Sequence, residues 1–327
     1  MMMSLLLGLA LLAQDEPAWK NVTSNVGGET WGYAGVTLLA AVPDRDEIIA
    51  GVSEQGLWSS VDGGATWKKL GGPEIKHRPH QILFDPKASR TFWVSGCYGA
   101  GIFRTNDGGA TFRRLGKVDH VDGVAVDFAD PARRTLLTGL HEQERSLMLS
   151  TDGGETWAKI GDRLPEDSNF STDPVILDSK TFVINAAGWK KGKSSGIYRS
   201  ADAGQTWAKV SELGVSGRSL LSNGTIVWPA LWGSGLVKGS EKGASWAKLS
   251  GPAKTSPIAL PGGRIAALAD QQLYVTADEG ATWEKLGKPL PVKAGGIVYS
   301  PKRKSFYAWR SSDKKSPDAI YRWEMTE

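Results

Sequence analysis

Six segments of this chain carry one eight-residue pattern, Ser/Thr-x-Asp-x-Gly-x-Thr-Trp, and few folds accommodate it. The first copy holds Ser60, Asp62, Gly64, Thr66 and Trp67, and the second holds Thr105, Asp107, Gly109, Thr111 and Phe112. The third has Ser150, Asp152, Gly154, Thr156 and Trp157, and the fourth has Ser200, Asp202, Gly204, Thr206 and Trp207. The fifth is degraded, with Gly239 and Glu241 ahead of Gly243, Ser245 and Trp246. The sixth restores the pattern with Thr276, Asp278, Gly280, Thr282 and Trp283. In each copy a short apolar strand ends in a polar turn, and the next strand starts at the Thr-Trp pair. The carboxylate and hydroxyl can accept backbone N–H bonds inside the turn, and the glycine supplies a positive φ. The acidic residues Asp62, Asp107, Asp152, Asp202, Glu241 and Asp278 are therefore expected to be structural, with a looser turn at Glu241.

The flanks repeat as well. Two further strands joined by a polar turn precede each copy, as in residues 81–84, 85–90 and 91–94. Four short strands per unit describe a propeller blade. A seventh third-strand, Ile320 to Arg322, lies near the C-terminus without a box after it. The missing fourth strand is expected at the other end, around Trp19, because residues 18–22 match residues 66–70 in pattern. From Trp19 to Trp283 the mean spacing is about 44 residues, the length of a blade. The expected fold is thus all-β: a seven-bladed β-propeller of four-stranded antiparallel blades, closed by N- and C-terminal strands that share one blade. Such sharing removes an exposed sheet edge. Residues 17–327 read as a single propeller and residues 1–13 as a signal peptide, with an apolar stretch from Leu5 to Leu12.

These boxes resemble those of the Asp-box (BNR-repeat) propellers. That superfamily includes sialidases, xyloglucan-cleaving hydrolases, sortilin-type receptors and photosystem II assembly-factor propellers. The resemblance covers about Pro17 to Arg322 and implies the fold far more than the function. A sialidase needs an Arg-Ile-Pro element near its N-terminus, which this chain lacks. Its only Arg-Ile pair is Arg264 and Ile265, in the sixth unit. Sialidase activity is therefore not expected.

Charge and cysteine content narrow the function further. The formal net charge of +4 over 327 residues is no nucleic-acid footprint. The single cysteine, Cys97, excludes an internal disulfide and is expected to sit buried at a strand end. The only long apolar run is far too short to span a bilayer. No phosphate-cradling loop, nucleophile elbow or zinc motif is present, so no cofactor and no metal are expected. With a leader at its N-terminus, the protein is expected to be secreted or periplasmic, and monomeric.

Function is expected on the face opposite the boxes. All four histidines fall there by blade assignment: His77, His80, His120 and His141. Asp122 and Glu142 join them, giving candidate acid–base groups. Trp31, Tyr33, Tyr98, Trp189 and Trp232, with Arg78 and Arg145, are candidate ligand contacts. Asp162, Asp167 and Asp173 lie in the long connection into the fourth blade. The expected function is binding of a protein or glycan ligand on this face. The alternative is a carbohydrate-active enzyme, hydrolase or lyase, with its site on the His-rich loops of blades two and three.

Overall fold

The computed structural model describes residues 18–99, 101–168, 170, 172–188, 192–222, 224–310 and 319–325. Residues 1–13, read above as a leader, and Trp189 lie outside them. The described residues form seven four-stranded antiparallel sheets. Blade one runs Val36–Ala41, Ile48–Val52, Gly56–Ser60 and Lys68–Leu70. Blade two runs Arg78–Asp85, Ala88–Cys97, Gly101–Thr105 and Arg113–Arg114. Blade three runs Val121–Val126, Leu136–Leu140, Leu147–Ser150 and Ala158–Lys159. Blades four, five and six begin at Thr172–Ile176, Leu220–Ser222 and Ile258–Ala259. The first strands of neighbouring blades, those of blades four and five apart, touch one another and line the axis.

Blade seven comprises Gly296–Ser300, Ser305–Arg310 and Ala319–Glu324, and its outer strand is Lys20–Asn21. Lys20 pairs with Arg322 and Asn21 with Tyr321. Val22 N then donates to Ile320 O at 2.8 Å. The Trp19 and Trp323 rings lie 6.1 Å apart. The closure expected from the two ends of the sequence is the observed one.

The apolar clusters lie between blades. Leu38 and Ile49 of blade one pack with Phe92 and Phe103 of blade two. Trp93 of blade two packs with Val124 and Leu136 of blade three. Second strands such as Ile48–Val52 and Phe182–Ala186 are buried throughout. Each is covered on both sides by neighbours, so it reads as a continuous apolar run rather than an alternating one. The Trp of a box spans the same seam. Trp67 is 2% exposed and its indole donates to Val22 O, in the strand that closes blade seven.

The box turns are self-contained. Asp62 Oδ1 accepts from Thr66 N at 2.9 Å, and Oδ2 accepts from Thr66 Oγ1 at 2.6 Å. Buried Ser60 Oγ donates to Asp62 and accepts from Gly64 N, both at 2.8 Å. The boxes at Asp107, Asp152, Asp202 and Asp278 repeat this network. Gly154 shows why the glycine is needed. Its φ is +93°, and a Cβ there would meet Leu115 of the preceding blade at 2.9 Å. The fifth box differs. Glu241 and Lys242 have φ of 50° and 54°, and main-chain bonds from Ala244 N to Ser240 O and Glu241 O close the turn.

Candidate functional site

The box turns share their face with the turns between first and second strands. Gly108 N donates to Arg90 O and Gly153 N to Arg134 O across those turns. The other connections, second to third strand and fourth strand to next blade, emerge on the opposite face. There the pairing of the first two strands shifts register at the same place in four successive blades. The shift lies between Val36 and Leu38, Pro79 and Gln81, Val121 and Gly123, and Thr172 and Val175. The residues in these intervals include Thr37, His80, Asp122 and Asp173. An irregularity of this kind bends the strand and re-aims a side chain. His80, Asp122 and Asp173 line one cleft of about 370 Å³ at the axis.

Asp122 is the hub. Its Oδ1 accepts from His141 Nδ1 at 2.7 Å and from Cys97 Sγ at 3.0 Å. Its main-chain oxygen accepts from His80 Nδ1 at 2.7 Å and from Ser95 Oγ at 2.8 Å. A carbonyl only accepts, so His80 carries its proton on Nδ1. On its far side, His141 Nε2 lies 3.2 Å from Tyr98 Oη and 3.8 Å from Glu142 Oε1. Arg218, from the entry to blade five, reaches across the channel and donates to His80 O.

Electrostatics separate the two acids of the cleft. Burial by itself would raise Asp122, but the His141 bond, the neighbouring His80 and the Cys97 bond hold it below its ordinary value. His141 is raised in turn, chiefly by that bond to Asp122. Asp173 is pushed up to about 7, first by burial and then by the charge of Asp122. Burial lowers His80 and lowers Arg218 to about 10. It also raises the Cys97 thiol, so this cysteine is no activated nucleophile. The ligating atoms of His80, Cys97 and Asp122 all lie within 4.8 Å of one another, a spacing compatible with a metal ion.

The structure sorts the expected site residues. His80, Asp122, His141, Glu142 and Trp232 line the cleft, together with Asp173. Tyr98 joins them through His141, and Arg78 lies over the Tyr33 and Tyr98 rings at 5.8 and 5.6 Å. Tyr33 is 79% exposed and Trp232 75%. His120 sits beside the group, its ring edge-on to Tyr98. Tyr98, His120, Glu142, Asp173 and Trp232 all adopt φ between 51° and 63°. That region is costly for a side-chain-bearing residue and is often found where function holds the backbone.

Others stand apart. His77 faces Glu54 and lines a separate, open groove of about 640 Å³ between blades one and two. Trp31 packs on the blade-one core and donates to Val26 O at 2.9 Å, so it caps that core. Arg145 donates to Asp162 O at 2.7 Å, away from the cleft. Sequence reasoning missed Arg218 and the contact of Cys97 with Asp122. Nothing near Arg218 in the chain signals a role, since its partner lies in blade two. Cys97 had one available clue, its adjacency to Tyr98.

The sequence pattern of the BNR/Asp-box repeat family matches residues 148–159, which is the third box. No curated protein matches the chain by sequence. Solved structures do match in shape. One is YCF48 bound to D1 peptide, at TM-score 0.60 and 15% identity over 96% of this chain and 99% of that one. Another is an oligogalacturonate lyase in complex with manganese, at TM-score 0.65 and 11% identity over 95% of each chain. A third is the extracellular domain of a putative hybrid two-component system from B. thetaiotaomicron, at TM-score 0.65 and 12% identity. That match covers 95% of this chain and 40% of the other. At such identities the likeness is one of fold.

Proposed function

Because this chain is a seven-bladed Asp-box (BNR-repeat) β-propeller, we propose that it binds a protein or glycan ligand in the axial cleft opposite the box turns. One observation carries this reading. The cleft gathers His80, Asp122, His141, Asp173 and Arg218 from four blades and sets the exposed Trp232 beside them. Polar groups converging under an exposed aromatic ring are what ligand recognition uses. Propellers of similar shape include one bound to a peptide, one within the extracellular domain of a putative two-component system and one that is an oligogalacturonate lyase. These support either ligand class. Export through the 1–13 leader belongs to the same proposal, and N-terminal sequencing of the secreted or periplasmic protein tests it.

A second reading, a carbohydrate-active enzyme, is favoured by the divergence of Asp122 and Asp173. Two titratable groups driven apart in one cleft suit acid–base work.

A glycan array and a peptide library, screened with the full chain, test the binding reading. Trp232→Ala is expected to weaken the strongest ligand by about tenfold or more, as loss of an aromatic anchor does. Undiminished binding by that variant would move the site away from the axis.

A further inference from the structure

From the cleft geometry we infer that Tyr98, His141 and Asp122 form a proton relay for β-elimination of an acidic, uronate-containing glycan, an inference that rests on the cleft holding a glycan. Hydrolysis fits the same groups poorly. A glycosidase needs two carboxylates free to face the sugar. Asp122 already spends its Oδ1 on the donors Cys97 and His141. The end of the array that faces outward is a phenol: Tyr98 is 44% exposed.

The relay has the order that proton abstraction requires. Asp122 holds the proton of His141 on Nδ1, which leaves the Nε2 lone pair for the Tyr98 hydroxyl at 3.2 Å. A phenol carries its proton at neutral pH, so Tyr98 needs that base. Arg78 lies against the Tyr98 ring, and its buried Nε makes no hydrogen bond with the described residues. A guanidinium there can neutralise a substrate carboxylate. That charge neutralisation is the condition for removing a proton from the adjacent carbon. The Tyr33 ring, 5.8 Å from the Arg78 guanidinium, extends the apolar contact.

The step balances without an oxidant or a further reactant. Tyr98 Oη takes the proton from the carbon next to the carboxylate while its own proton passes to His141 Nε2. The C–H electron pair becomes a C=C bond, and the glycosidic C–O bond breaks with its pair left on oxygen. That oxygen takes a proton from Tyr98, and His141 returns one to Tyr98. Products are an unsaturated uronate and a shortened chain. A neutral glycan has no acidified C–H, so it is bound without being cut.

Polygalacturonate, alginate, hyaluronan and chondroitin are incubated with the full chain, and the ultraviolet absorbance of the conjugated unsaturated product is followed. Calorimetry measures binding of each in parallel. The expected result is product from at least one of them. Tyr98→Phe and His141→Gln then lower kcat by about 10²- to 10⁴-fold, the usual worth of a general acid–base group. Asp122→Asn, altering a positioning residue, lowers kcat with KM little changed. Circular dichroism melts separate these losses from misfolding. Cleavage without the chromophore, or chromophore formation unaffected by Tyr98→Phe, overturns the relay. Binding without product overturns the relay and leaves the binding reading standing. Absence of binding to all four removes the acidic-glycan reading itself.

Discussion

The two faces of the disc use the same residue types to opposite ends. On the box face each box Asp closes its own turn, with partners within four residues along the chain. Hydrogen bonds from Thr66 hold Asp62 down to about 2, and Asp152, Asp202 and Asp278 behave alike through Thr156, Thr206 and Thr282. On the cleft face, Asp122 is held down while Asp173 is pushed up to about 7. Asp122 takes Cys97 from blade two as well as His141 from further along its own blade, and Asp173 feels the charges of Asp122 in blade three and of Arg218 at the entry to blade five. A carboxylate satisfied by its own turn does structural work in every copy, whereas one whose partners come from distant strands creates a site found once.

The largest expected effect separates packing from recognition. Trp67→Ala, in the seam between blades seven and one, should destabilise by about 3–5 kcal/mol, as large-to-small core changes do. Trp232→Ala should leave stability within about 0.5 kcal/mol, as exposed substitutions do, while removing a ligand contact. Denaturant titration of both variants measures the contrast. Equal losses would erase the distinction between the faces.

A second effect lies in acid. The box carboxylates have folded pKa values below the ordinary 3.8. Their contribution is therefore full above about pH 4 and is lost as pH falls through about 2. Melting temperatures across that interval should fall steeply, and Asp152→Asn should flatten the slope. An unchanged slope would mean the box bonds are no stronger than those of the unfolded chain with water.

Asp173 has the opposite sign. Its folded pKa is raised, so it weakens the fold increasingly as pH rises from about 4 to about 7. Asp173→Asn should raise the melting temperature at neutral pH and change nothing near pH 4. Asparagine also tolerates the positive φ of 51° at this position. A variant that melts lower at neutral pH would show that the carboxylate is satisfied there after all.

The smallest effect belongs to the degraded fifth box. Lys242 has a φ of 54°, and glycine carries less strain in that region, so Lys242→Gly should stabilise by up to about 1 kcal/mol. The variant also loses the exposed Lys242–Asp178 pair, worth little in water. Destabilisation would mean that this pair matters more than the backbone does.

The ring was legible residue by residue. Each box is written in eight consecutive positions, and the spacing from Trp19 to Trp283 matches the length of a blade. The unpartnered third strand at Ile320 and the stray fourth strand at Trp19 identified each other by pattern. The site was legible only in outline. His80, Asp122 and His141 stood out as residue types, yet His77 and Trp31 looked equally eligible and lie elsewhere. What separates them is the register shift that turns an inner strand at His80, Asp122 and Asp173, and Pro79, Gly123 and Pro174 beside those residues are its only trace in the chain.

By itself the sequence determined the blade, the number of blades and the way the ring shuts, because each rests on contacts made within a few dozen residues or on a pattern repeated. Tertiary structure alone decided that Arg218 would reach the main chain of His80, and that Cys97, Asp122 and His141 would share one hydrogen-bonded hub. Those contacts form where inner strands from different blades converge on the axis, and no local propensity encodes which side chains meet there.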